Sequence, residues 1–282
     1  MSDRVVAGLQ DSSQPAGLDN NGAPPFVNPT IPNVARIYDY MLGGKDNYES
    51  DRQAATKLIQ MVPDVLSACH HNRQFLQRAV RFLASETGIR QFIDIGAGLP
   101  TQGNVHEIAQ GINPNARVAY VDYDPVVIAH AQAILATNPT VIAVQRDLRF
   151  PDQILGHPAL QALIDFGEPV ALLLAAVLHF LADDEAYAAI GKLKAALPPG
   201  SYLVVSHITP DEIPDEIRRD AQAVYDRATS PITPRRFSAI ERFFDGLDII
   251  DPGIVDVNTW QAEETPIGPQ RTLIYAGVAR KH

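Results

Sequence analysis

The sequence predicts an α/β fold built on a mostly parallel sheet. Short runs dense in Val, Ile and Leu recur between residues 91 and 207, and helical stretches separate them. The runs are nearly continuous in apolar character, as strands covered on both faces must be. The first strand is expected at "QFIDIG", followed by "RVAYVD", "TVIAVQRD", "PVALLLAA" and "SYLVVSH". Helices are expected between them at about 103–111, 125–136, 158–165 and 183–196. Asp124-Pro125 supplies an N-cap acid followed by a proline in the first helical position. After His207 come helices at about 214–229 and 234–244, then strands at "LDII" and "TLIYAGVA". Their closeness in sequence suggests an antiparallel pair at the sheet edge, joined by a loop that carries Trp260.

Ahead of the sheet, residues 1 to about 30 are rich in Gly, Pro, Ser, Asn and Asp and are expected to form a disordered tail. Order is expected from "NVARIYDYMLGGKDN". Asn33 can cap a short helix whose stripe is Val34, Ile37, Tyr38 and Met41, and Gly43-Gly44 ends it. Helices at about 48–61 and 64–86 follow, separated by Pro63, with Asp64 as the cap of the second. The expected division is a tail over 1–30, a helical cap or lid over 31–88, and the sheet domain over 89–282.

The 282 residues carry a formal net charge of −10 and a hydrophobic fraction of 46%, with a sequence pI near 5.2. The chain is long enough for a full core, and its acidity argues against a broad nucleic-acid binder, which needs clustered Lys and Arg. Cys69 is the single cysteine, so there is no internal disulfide and no Cys-rich metal site. His70 and His71 are adjacent on a helix and point apart, and no metal is expected. No run of 18 apolar residues and no basic-then-apolar start is present, so a cytoplasmic protein is expected, without a membrane partner.

In open α/β sheets ligands sit beyond the carboxyl ends of the strands. The first strand is followed by Gly96 and Gly98 and contains Asp94. The second ends at Asp122 and Tyr123, the third leads to Asp147 and Leu148, the fourth reaches Ala175 to His179, and the fifth His207. The glycines let backbone approach a ligand closely. Asp122 lies 24 residues beyond Gly98, where an acid can accept hydrogen bonds from ribose hydroxyls. That much suits a dinucleotide or S-adenosyl-L-methionine (SAM). Two details favour SAM. The third glycine of a dinucleotide loop is replaced by Thr101, preceded by Pro100, and Asp94 would oppose a pyrophosphate. The sulfonium and ammonium of SAM are cations, which an acid favours. Asp147 stands where an adenine amino group can donate to it.

On the stretches "ARIYDYMLGGKDNYESDR", "NRQFLQRAVRFLA", "GIRQFIDIGAGLPTQGNVHEIAQ", "ARVAYVDYDPVVIAHAQAIL" and "AAVLHFLADDE", the chain resembles the class I SAM-dependent methyltransferases. More closely it is similar to an actinobacterial S-adenosyl methyltransferase family, first grouped as a domain of unknown function. The resemblance implies a Rossmann-like seven-stranded sheet of order 3-2-1-4-5-7-6, with strand seven antiparallel, and an N-terminal helical extension. It also implies that Asp94, Gly96 and Gly98 form the SAM loop, that Asp122 holds the ribose and that Asp147 contacts adenine. Tyr38, Tyr40, Gly43 and Gly44 are candidates for a lid, with Arg36, Lys45 or Asp46 reaching the methionine end.

Methyl transfer needs a base only if the acceptor must lose a proton early. His179 and His207 are the candidates, though for each a carbonyl-satisfied structural role is the favoured reading. The [DNS]-P-P-[YF] pattern that grips amide or base nitrogens is absent after the fourth strand. The expected activity is therefore methyl transfer from SAM to a small-molecule acceptor. The alternatives are a non-catalytic SAM-binding regulator and an NAD(P)-dependent oxidoreductase. The acceptor and the oligomeric state are not read from the sequence.

Overall fold

Alternation along five parallel strands sets the architecture. In β1 (Gln91–Ile95), Phe92 packs on one face of the sheet and Ile93 and Ile95 on the other. β2 (Arg117–Asp122), β4 (Ala171–Ala175) and β5 (Tyr202–Ile208) repeat the pattern: Val118, Leu173 and Val204 face the first side, and Val121, Leu172 and Val205 the second. A strand's period of two thus fills two cores at once, and both need a covering layer. The computed structural model describes residues 27–100, 103–135, 138–262 and 271–282. The expectation at Thr101 and that for residues 1–26 of the tail lie outside the described residues.

The strands, with β3 (Val141–Gln145), run parallel in the order β3-β2-β1-β4-β5. β8 (Ile274–Arg280) then pairs antiparallel with β5 over seven residue pairs, and β6 (Asp248–Ile249) closes the edge. The order is therefore 3-2-1-4-5-8-6. It is the expected arrangement with one addition: the two-residue β7 (Val255–Asp256), which pairs with β8 and shifts the last strand's number by one.

Helices α3 (Val65–Ser85), α4 (Val105–Ile112) and α5 (Pro125–Leu135) cover the first face. Trp260 completes that core, edge-on to Phe75 at 5.4 Å and to Phe82 at 5.9 Å. Helices α6 (Pro151–Leu155), α7 (Pro158–Leu163), α8 (Asp183–Ala196) and α10 (Phe237–Glu241) cover the second. α6 is an addition to the expected helices; it starts at Pro151, whose ring suits a first turn.

α1 (Val34–Met41), α2 (Glu49–Met61) and α9 (Asp215–Tyr225) form a third cluster beyond the strand ends. Asn33 caps α1 as expected, its side chain accepting from the N–H groups of Ala35 and Arg36. Asp124 caps α5 through Val126 N–H at 2.7 Å. Asp64 makes no side-chain cap to α3; its backbone carbonyl accepts from Ala68 and from the Ser67 hydroxyl instead. The buried Asp51 carboxylate gathers Asn33 N–H, Arg36 Nε and Tyr48 N–H, each at 2.8 Å, and so ties α1 to α2. The packed chain starts before residue 31: Val27 is buried, Pro29 C=O accepts from Ser50, and Ile31 C=O accepts from Arg36.

Candidate functional site

A cavity with about 220 Å³ of room for the centres of water-sized molecules opens between the strand ends and the α1–α2–α9 cluster. Its floor is the end of β1. Gly96 and Gly98 have φ of +74° and +65°, values open to glycine at no steric cost. Their surroundings differ. A Cβ on Gly96 would lie 2.3 Å from Val177 Cγ2, whereas one on Gly98 would meet nothing within 4 Å among the described residues. Gly96 thus lets two loops close on each other, and Gly98 meets no such neighbour. The turn is pinned by Gly96 N–H to Val121 C=O at 2.8 Å and by Gly98 N–H to Asp122 Oδ2 at 3.0 Å.

Asp94 is 4% exposed and lines the cavity. Burial pushes its carboxyl up to about 7, a rise that the Arg73 guanidinium opposes and the Asp122 charge adds to. No hydrogen bond among the described residues relieves it. Arg73, projecting from α3, spends one Nη2 bond on Asn104 Oδ1 at 3.0 Å, while its Nε is buried with no partner. Asp94 and Arg73 therefore line the same space, an acid and a guanidinium that are incompletely satisfied among the described residues, which is costly for a protein alone and useful for a ligand carrying both charges.

Asp122 is also buried and raised to about 6, with burial outweighing its hydrogen bonds from Asp124 and Gly98 N–H. Oδ1 accepts from Asp124 N–H and Oδ2 from Gly98 N–H, Tyr123 N–H also lowers the carboxyl, and the two oxygens together still have lone-pair capacity left. Tyr123 lines the cavity and its hydroxyl lies 3.3 Å from both Thr229 and Ser230. Ala175 lines it too, and next to it Ala176 sits at φ +54° with its N–H donated to Ser206 Oγ at 2.9 Å. Ser206 Oγ–H passes to Asn72 Oδ1, Asn72 Nδ2–H to the Tyr38 hydroxyl at 3.0 Å, and Tyr38 to Cys69 C=O at 3.0 Å.

Several expected residues lie elsewhere. Asp147 is held by its neighbour Arg149 through Nε and Nη2, and neither Asp147 nor the buried Leu148 lines the cavity. Of the four lid candidates, Tyr40, Gly43 and Gly44 are also off the lining and Tyr38 is on it, with Asp39 and Met41 of the same helix beside it. Gly44 serves the loop: a Cβ would lie 2.0 Å from Asp39 Oδ1, and the Asp39 carboxylate folds that loop by accepting from Asp46 N–H and Asn47. Arg36 is committed to Asp51, so it does not reach the cavity's polar end. Arg73 and Asn72, which the motifs did not single out, do.

The histidines are settled in different ways. His207 is fully buried and off the lining. Arg235 Nη1 donates to its Nε2 at 2.9 Å, which fixes the ring proton on Nδ1, 2.7 Å from Ile208 C=O. Burial, the neighbouring His179 and Arg235 hold it neutral, and its one acceptor atom is already used. His179 does line the cavity, with Nδ1 buried and without a partner among the described residues. Burial and the Arg235 charge depress it to about 3, so it is neutral near pH 7 and a weak base. Among the described residues no group of three or more His, Cys, Asp or Glu could hold a metal, and no helix is long and apolar enough to cross a membrane.

The chain is similar to two solved structures over most of its length. One is a candidate methyltransferase from Thermobifida fusca, 39% identical, covering 92% of this chain and 98% of the other with a TM-score of 0.86. Another is a DUF574 family protein from Streptomyces avermitilis, 39% identical, covering 89% of this chain and 98% of the other with a TM-score of 0.85. No curated protein matches the sequence. The family model for S-adenosyl methyltransferase matches residues 21–282. The chain belongs to the S-adenosyl methyltransferase family, whose cofactor is SAM.

Proposed function

We propose that this cavity binds SAM and that the chain transfers its methyl group to a small-molecule acceptor. The observation that carries the reading is the pairing of a buried acid, Asp94, with a guanidinium, Arg73, in the lining of one cavity. The methionine end of SAM is a zwitterion, with an ammonium for Asp94 and a carboxylate for Arg73. Asp122 would accept from the ribose hydroxyls with its remaining lone pairs, and Gly96 and Gly98 would admit the cofactor to the backbone. Asp147 would contact adenine only after releasing Arg149. SAM supplies an activated methyl on a sulfonium. The protein's part is then to hold an acceptor in line with it and to exclude water.

A pyrophosphate suits the site poorly. The carboxylates of Asp39, Asp94, Asp122 and Asp124 all line the cavity, and Arg73 and Arg218 are its only cations among the described residues. The SAM-binding regulator keeps one observation in its favour: His207 has no free acceptor atom and His179 is a weak base, so neither histidine is poised to take a proton. Incubation with methyl-labelled SAM and a metabolite extract separates the two. Label in a new product supports the transferase. Tight SAM binding with no label transferred supports the regulator, and calorimetry showing neither SAM nor S-adenosylhomocysteine binding refutes both.

A further inference from the structure

Charge is segregated inside the cavity. All four of its carboxylates come from α1 and from the segments ending β1 and β2. The end under α9 is lined differently. Ile37, Met41 and Leu58 from α1 and α2 face Ala221 and Tyr225 from α9, and the same residues pack together as one apolar cluster. The one charged side chain there among the described residues is Arg218. It is partly exposed and paired with Asp215 at 3.1 Å, which places it at the rim.

Two aromatic side chains border this end. Phe180 and Tyr225 both line the cavity, with ring centroids 6.5 Å apart. The Tyr225 hydroxyl has its proton affinity raised by burial first and by Cys69 second, and no hydrogen bond among the described residues offsets either. A hydroxyl with no partner among the described residues, beside an apolar space, is a handle for one polar atom of a ligand.

Resting on the reading of the polar end as the SAM site, we propose that the α9 end is the acceptor site and that it takes a flat, apolar, uncharged compound with one polar atom set against the Tyr225 hydroxyl. A charged acceptor would leave water for a space whose one charged side chain among the described residues, Arg218, sits at the rim and is already paired with Asp215, and that desolvation is not recovered. α9 supplies the cover. It has no fully buried residue of its own, and its following loop is tied down by Thr229 N–H to Pro32 C=O at 2.9 Å and by the Tyr123 hydroxyl. The segment that covers the acceptor is therefore also attached beside Asp122 and Tyr123 of the cofactor end.

Calorimetry with 2-naphthol on protein saturated with S-adenosylhomocysteine tests this, with naphthalene-2,6-dicarboxylate as the charged comparator of like shape. We expect 2-naphthol to bind without displacing S-adenosylhomocysteine and at least tenfold more tightly than the dicarboxylate. Tyr225→Phe should weaken 2-naphthol several-fold, and Ala221→Phe, which fills the space, should abolish it. Both variants should keep the parent's affinity for S-adenosylhomocysteine, which also shows that they fold. Four results would overturn the proposal: no 2-naphthol binding to the loaded protein, displacement of S-adenosylhomocysteine by 2-naphthol, equal or tighter binding of the dicarboxylate, or unchanged 2-naphthol binding in Ala221→Phe. Failure of S-adenosylhomocysteine itself to bind is a separate outcome, which removes the cofactor reading and the acceptor site with it.

Discussion

Replacing Asp94 with Asn should stabilise the cofactor-free protein while weakening its hold on the cofactor. The carboxyl ordinarily titrates at 3.8, and burial raises it to about 7. A carboxyl whose folded value lies above its unfolded one favours folding in its protonated form. That contribution is complete below 3.8 and lost as pH rises through about 7. At about 1.36 kcal/mol for each tenfold change in proton affinity, the loss is roughly 1.7 kcal/mol at pH 5 and roughly 4 kcal/mol at pH 8. Asn has nearly the same shape and never ionises, so the variant escapes the loss. In urea unfolding of the apo protein, its advantage over the parent should grow by roughly 2–3 kcal/mol between pH 5 and pH 8. Affinity for S-adenosylhomocysteine should move the other way. Removing a charge-assisted hydrogen bond costs about 1.5–3 kcal/mol, or roughly 10- to 150-fold in Kd. An advantage that does not change with pH would refute the desolvation reasoning, and an unchanged Kd would refute the pairing of Asp94 with the ammonium.

The two loop glycines should behave differently. Gly96→Ala adds a contact 2.3 Å from Val177 to a left-handed φ and should cost roughly 2–4 kcal/mol, whereas Gly98→Ala meets only the backbone strain and should cost roughly 1 kcal/mol. Val177→Ala should recover part of the loss in the Gly96→Ala background and none in the other, as read by urea unfolding. Asp51→Ala leaves Arg36 buried without a counter-charge and should destabilise by roughly 3–5 kcal/mol in the same assay. Trp260 is the single tryptophan and fully buried, so its emission should shift to the red in one step with the loss of far-ultraviolet circular dichroism. Trp260→Ala should cost roughly 3–5 kcal/mol by circular dichroism.

The parallel strands were legible because each is a run of apolar residues bounded by turn chemistry, and because parallel order leaves every functional segment at one sheet end. Asp94, Gly96, Gly98 and Asp122 could be placed from spacing alone for that reason. Asp147 shows the limit. Its position after β3 matches the pattern, yet Arg149 two residues on takes both carboxylate oxygens. A strand end gives the address of a residue but not which neighbour holds it. Arg73 and Asn72 were invisible for a different reason. They project from the middle of α3, and nothing local marks which turn of a 21-residue helix will pass over the end of β1. In the "ARIYDYMLGGKDNYESDR" stretch Tyr38 lines the cavity, while Gly44 makes room for Asp39 and Arg36 answers Asp51, so these last residues shape the stretch's own backbone.

The run of hydrogen bonds from Ala176 to Cys69 has a handedness. A backbone N–H can only give, so Ser206 must receive at Ala176 and give to Asn72. The amide of Asn72 then has its oxygen spoken for, and its nitrogen must give to Tyr38, which must give to Cys69 C=O. One strained peptide beyond β4 thus dictates the orientation of an amide on α3 and of a hydroxyl on α1. The helical block and the sheet are consequently not interchangeable parts. A chimera that grafts residues 27–85 onto another sheet would have to carry Ser206 with it, or the first link in the sequence would point nowhere.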